Sequence, residues 1–126
     1  MIKKIVPQSI VDAALRNTYY AFVSLKDKTC VKMNPSKLYD DGHPSFIRDG
    51  KYMLTDTYAD KKGYRHLLLF ETRTGKIIEL GRFYSPFNNC GYRCDLHPRY
   101  SKSGDMVVID SAHSGKHQVH VYKINI

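Results

Sequence analysis

Hydrophobic and polar residues alternate with a period near two over much of this chain, the pattern of half-buried strands. The runs "PSFI", "KYMLTDT", "RHLLLFE" and "IIELGRF" predict four successive strands, and "PRYS", "DMVVIDS" and "QVHVYKI" predict three more. Pro44 and Pro98 stand at strand entries, where a missing N–H is tolerated. "RDG", "KSG" and "TRTGK" supply tight turns in which glycine takes positive φ. Nearer the start, "TYYAFVSL", a "KDK" turn and "TCVKMN" predict another pair of strands. Before them, "SIVDAALRN" places Ser9 three residues ahead of Asp12, a capping pattern that predicts one short N-terminal helix. The expected fold class is all-β with that single helix.

The strands repeat. Laying His43 on His97, 54 residues later, sets "DGHPSFIRDGKYMLTDT" over "DLHPRYSKSGDMVVIDS" without a gap. Asp41 then meets Asp95, Pro44 meets Pro98, Phe46 meets Tyr100, Gly50 meets Gly104 and Asp56 meets Asp110. A turn shorter by two residues in the second copy brings "GYRHLLLFE" over "GKHQVHVYK". Strand-only repetition at this period predicts propeller blades, each a four-stranded antiparallel meander. The chain reads as a single partial propeller domain. Residues 1–18 form an N-terminal segment, 19–38 half a blade, 39–92 a complete blade, and 93–126 a last blade ending with its third strand. A closed propeller typically has at least four blades, so an incomplete propeller of about two and a half blades is expected. Its open edges and apolar faces predict a homo-oligomer.

Composition narrows the setting. Ten Tyr and five Phe with no Trp suit strands, and 42% hydrophobic residues are enough to build a core. No apolar run approaches the roughly 20 residues that span a bilayer, so no membrane partner is expected. "MIKKIVPQSIVDAALR" begins with lysines as a signal peptide does, but Pro7, Gln8 and Asp12 interrupt any apolar stretch, and a cytoplasmic location is expected. The net charge of +8 suits an anionic partner. The basic residues are scattered, with neither a clustered stripe nor a recognition helix, so nucleic acid is not the expected one. Three cysteines, an odd count, are expected as free thiols. Cys90, Cys94 and His97 have C-x3-C-x2-H spacing, but a structural zinc site needs a fourth ligand, and Cys30 is distant in sequence.

The "HP-x-aromatic … DG … D-S/T" phrase resembles the blades of Tol-type and prolyl-oligopeptidase-type propellers. Over residues 19–126 the chain is most similar to the C-terminal blades of oligogalacturonate lyases. That resemblance implies β-elimination from acidic oligosaccharides with a bound divalent metal such as manganese. In the family the last inner strand begins Gln-x-x-His-x-His-Pro, and the three polar residues hold the metal. Here His97 matches the second His, Asp95 stands where the first would be and offers oxygen, and Tyr92 takes the Gln position. The family's catalytic arginine and its further metal-binding His fall in blades outside this chain, so the resemblance implies ancestry more than turnover.

On a continuous strand Arg93, Asp95, His97 and Arg99 would share one face, and Cys94, Leu96 and Tyr100 the other. The functional reading makes His97 and Asp95 metal ligands, with Arg93, Arg99 and Tyr92 contacting an acidic sugar. Arg93 pairs a carboxylate well through its planar fork, and its counterpart in the other copy is Tyr39. The structural reading notes that a single active site needs its residues once. Asp41, His43, Asp56 and Asp110, which belong to the repeated phrase, then hold blades together through Asp–imidazole bonds. His117 and His120 point to opposite faces of a strand, so a site built from His113, His117 and His120 is not expected. The connection "YSPFNNCGYR" either carries binding residues or packs at a blade junction. The functional expectation is a partial, lyase-like propeller without catalysis of its own that binds acidic sugar. The alternatives are an enzyme completed by self-assembly and a protein-interaction module.

Overall fold

The computed structural model describes residues 20–33, 38, 41–86 and 93–126. The chain falls into two compact units, Met1–Asp40 and Asp41–Ile126. The expected N-terminal helix lies outside the described residues. All regular structure among the described residues is β: three small antiparallel sheets, none closed on itself. No helix among them is long and apolar enough to cross a membrane.

In the first unit, β1 (Tyr20–Ser24) and β2 (Thr29–Met33) form a hairpin in which Tyr20 faces Met33 and Ser24 faces Thr29. Lys28 takes a left-handed φ of 52° in its turn. Ser24 Oγ donates to Asp27 and accepts the Asp27 N–H, which closes that turn.

The second unit carries β3 (Ser45–Ile47), β4 (Tyr52–Asp56), β5 (Tyr64–Glu71) and β6 (Ile77–Tyr84) as one meander. It continues with β7 (Arg99–Tyr100), β8 (Met106–Ser111) and β9 (Gln118–Lys123) as a three-stranded sheet. The repeat holds at the level of register. Ser45 pairs with Leu54 and Phe46 with Met53, while at the equivalent positions Arg99 pairs with Val108 and Tyr100 with Val107. Asp56 faces Leu67 and Asp110 faces Val119, which carries the two-residue turn difference into the third strands. Gly50 and Gly104 occupy the same turn position with φ of 85° and 72°.

The alternation of β4 and β5 turns Tyr52, Leu54, Leu67 and Leu69 to one face. They cluster there with Ile47, Leu96, Val107, Ile109 and Ile124 to form the core between the two sheets. Met53, Leu68 and Phe70 point to the other face of the four-stranded sheet and are buried as well. A register shift at Leu67/Leu68 makes a bulge in which Leu80 is the additional residue of β6. On β9, Val119 and Val121 are 64% and 61% exposed.

Candidate functional site

The two His-Pro phrases meet in space. Each lies just ahead of a first strand, so its histidine N–H has no ladder partner, and Pro supplies none. Both N–H groups are satisfied by one carboxylate. Asp56, at the end of β4 and 1% exposed, accepts the His43 N–H at 2.7 Å and the His97 N–H at 3.3 Å. The His43 Nδ1 lies 3.0 and 3.2 Å from its two oxygens. One buried carboxylate thus links the entry segments of both sheets. The imidazoles of His43 and His97 stand with centroids 4.2 Å apart, tilted by 59°.

His97 reaches this place through a left-handed backbone, φ 41°, directly before a proline. That conformation is sterically disfavoured and costs on the order of 1–3 kcal/mol. The neighbours over-determine it: Leu96 is fully buried, its carbonyl accepts the Asp110 N–H at 2.8 Å, and Pro98 is buried too. The same kink corrects the expected face assignment. Residues 93–98 are not strand, so Cys94, Asp95 and Leu96 are buried in succession rather than alternating.

Asp95 is 6% exposed and sits between two guanidiniums. Arg65 of β5, itself 2% exposed, approaches one oxygen at 2.6 Å, and Arg93 approaches the other at 2.8 Å. Arg93 also lies over Tyr58, with 4.8 Å from its guanidinium carbon to the ring centroid. Arg99 forks onto Asp110 through bonds of 3.0 and 3.1 Å, and the His97 Nδ1 lies 3.8 Å from the same carboxylate. Within this group Asp56, Asp95 and Asp110 balance Arg65, Arg93 and Arg99.

His43, Asp95 and His97 each offer one ligand atom, and those atoms lie within 4.8 Å of one another. Two imidazole nitrogens and a carboxylate oxygen suit a divalent ion of borderline hardness. The guanidiniums on both Asp95 oxygens oppose the added charge, so the donor set fits an ion held weakly.

Beside this group opens a polar hollow of about 530 Å³, lined among others by Tyr58, Lys61, Lys62, Arg65, Tyr84 and Arg93. Its lysines are carried by a turn that Asp60 builds. The Asp60 carboxylate accepts the Lys62 and Tyr64 N–H groups at 2.8 and 2.9 Å, with His66 at 3.3 Å. The Tyr64 N–H above all holds the Asp60 carboxyl below the usual carboxylate range.

Of the residues expected from sequence, the fold gathers His43, Asp56, Arg93, Asp95, His97, Arg99 and Asp110 into one neighbourhood. Asp41 is exposed, and the imidazole of its phrase bonds to Asp56 instead. Tyr92 and Cys90 lie outside the described residues. Burial pushes the Cys94 thiol up, away from the thiolate a zinc ligand must be. Arg65, Tyr58, Lys61 and Lys62 were not singled out in the sequence. The signal for Arg65 was a charged residue entering the apolar run "LLLF", a position that demands a buried partner. Comparison with protein families, with curated proteins and with solved structures finds no match to this chain.

Proposed function

We propose that this chain is a non-catalytic, propeller-type repeat module that binds an acidic oligosaccharide in the hollow beside Arg93. The observation that carries this reading is the hollow's lining: the exposed Lys61 and Lys62 for carboxylates, the exposed ring of Tyr84 as a flat surface for a sugar, and beside them Arg93, stacked on Tyr58 and paired with Asp95 but half exposed. Such a lining matches a chain of pyranose rings bearing carboxylates.

A divalent ion would be held by His43, Asp95 and His97, where it would supply positive charge to an acidic ligand. In the absence of ligand the charges of the group already balance, so an added ion leaves an excess of positive charge. An anionic sugar offsets that excess, and ion and sugar then strengthen each other's binding. Elimination from a uronate also needs a base near the proton that leaves. Asp56 is committed to the two histidine segments, Asp95 to two guanidiniums, and Asp110, 3.8 Å from the His97 Nδ1, to the fork of Arg99. The expected self-association rests on the exposed Val119 and Val121 of β9.

Calorimetric titration with digalacturonate, with and without manganese, tests the proposal. Binding that is absent for a neutral disaccharide, weakened in Arg93→Ala and strengthened by manganese is the expected result. An ultraviolet assay for unsaturated uronate should show no product. No binding, or binding indifferent to Arg93→Ala, overturns the reading, and product lost in His97→Ala would make the chain an enzyme.

A further inference from the structure

We infer that the β8–β9 hairpin carries a separate transition-metal site, formed by the imidazoles of His113 and His120 and suited to zinc or nickel. One ring comes from the turn after β8 and the other from β9, with centroids 4.5 Å apart and planes tilted by 43°. A bound ion would therefore join the end of β8 to β9.

Two independent observations point to a ligand there. The His120 Nε2 is buried and has no hydrogen-bond partner among the described residues. A buried polar atom in that state is destabilising, and a metal ion gives its lone pair a partner. Second, His113 is already oriented. Its Nδ1 lies 2.8 Å from the Oγ of buried Ser111, and the same oxygen accepts the His113 backbone N–H at 3.3 Å. With the Nδ1–H donated to Ser111, the Nε2 lone pair is the one left for a metal, the usual arrangement behind a ligating histidine.

Phe83 of β6 packs edge-on against His113 at 5.4 Å and lies 5.7 Å from Tyr122, so the pair has an aromatic wall on one side. Partial desolvation of this largely exposed ring, and then the nearness of His120, shift the His113 imidazole below the ordinary histidine range. Imidazole suits zinc, nickel and copper, and with two protein ligands and water the affinity falls short of a four-ligand structural site.

Histidine-ring NMR of the full chain during a zinc titration reads the site directly. The expected result is perturbation of the His113 and His120 rings before those of His43 and His97. His113→Ala and His120→Ala should each weaken binding at the hairpin about tenfold or more. His113 is exposed, so its removal leaves the fold intact and keeps the test clean. At free zinc a hundred times its dissociation constant, the unfolding equilibrium constant of the unmodified chain should fall about 100-fold. Zinc that leaves both rings unperturbed, or that binds equally well to both variants, overturns the inference, as does capture at Cys30 alone.

Discussion

Removing the Asp56 carboxylate should unfold this chain far more readily than removing its repeat counterpart, Asp110. Asp56→Ala strands the backbone N–H groups of His43 and His97, which bond to it at 2.7 and 3.3 Å, and frees the His43 ring. Both donors are only partly buried, so each left unsatisfied costs about 1.5 kcal/mol, in the lower half of the range for a buried group, and the ring bond adds about 1 kcal/mol. The sum centres near 4 kcal/mol, a large share of the roughly 5–15 kcal/mol that stabilises a typical domain. Asp56→Asn keeps one acceptor oxygen for the His43 N–H and should cost about half as much. Asp110 is different. Its fork to Arg99 joins side chains 31% and 54% exposed, so Asp110→Ala should cost less than about 1 kcal/mol. Urea denaturation followed by circular dichroism measures all three. With a slope near 2 kcal/mol per molar, Asp56→Ala should lower the midpoint by about 2 M and Asp110→Ala by less than about 0.5 M. Equal midpoint shifts for the two alanine variants would refute the claim that Asp56 links the sheets.

A β-carbon at Gly42 would lie 1.9 Å from the Asp56 carbonyl oxygen, against rigid backbone, so Gly42→Ala should lower stability by about 3 kcal/mol in a thermal melt. Gly50→Ala meets no atom within 4 Å and pays only for its φ of 85°, about 1–2 kcal/mol. A ring-proton titration of His113 should give a midpoint below 6.5, displaced chiefly by burial, and His120→Ala should restore only part of the difference. Because the folded state holds that proton less tightly than the unfolded one, the His113 contribution is complete above pH 6.5. It is lost as pH falls through the lower folded midpoint.

The strands and their pairing were legible because period-two runs, glycine turns and entry prolines are local signals. The 54-residue repeat then carried the register of "SFI" on "YMLTD" over to "RY" on "MVVID". The site was legible only in part. Imidazole–carboxylate bonding was expected within the repeated phrase, but which aspartate would serve was decided by the β3–β4 hairpin register, which extended past Ser45 sets His43 opposite Asp56 rather than beside Asp41. The approach of His43 to His97 depends on equivalent positions of adjacent sheets lying side by side, and the repeat itself held that signal. The left-handed φ at His97 had no signal, since residues before proline normally avoid it, and it undid the face assignment of residues 93–98. A site built from His113, His117 and His120 was not expected because His117 and His120 point to opposite faces of a strand, whereas His113 lies in the turn after β8 and its ring folds back onto His120.

The most direct test of an acidic-sugar site is amide NMR mapping of the labelled chain with digalacturonate. The account predicts shifts concentrated at residues 58–63, Tyr84 and Arg93, followed by manganese broadening at His43 and His97 only once sugar is bound. Shifts confined to other parts of the chain, or none at millimolar sugar, would contradict it.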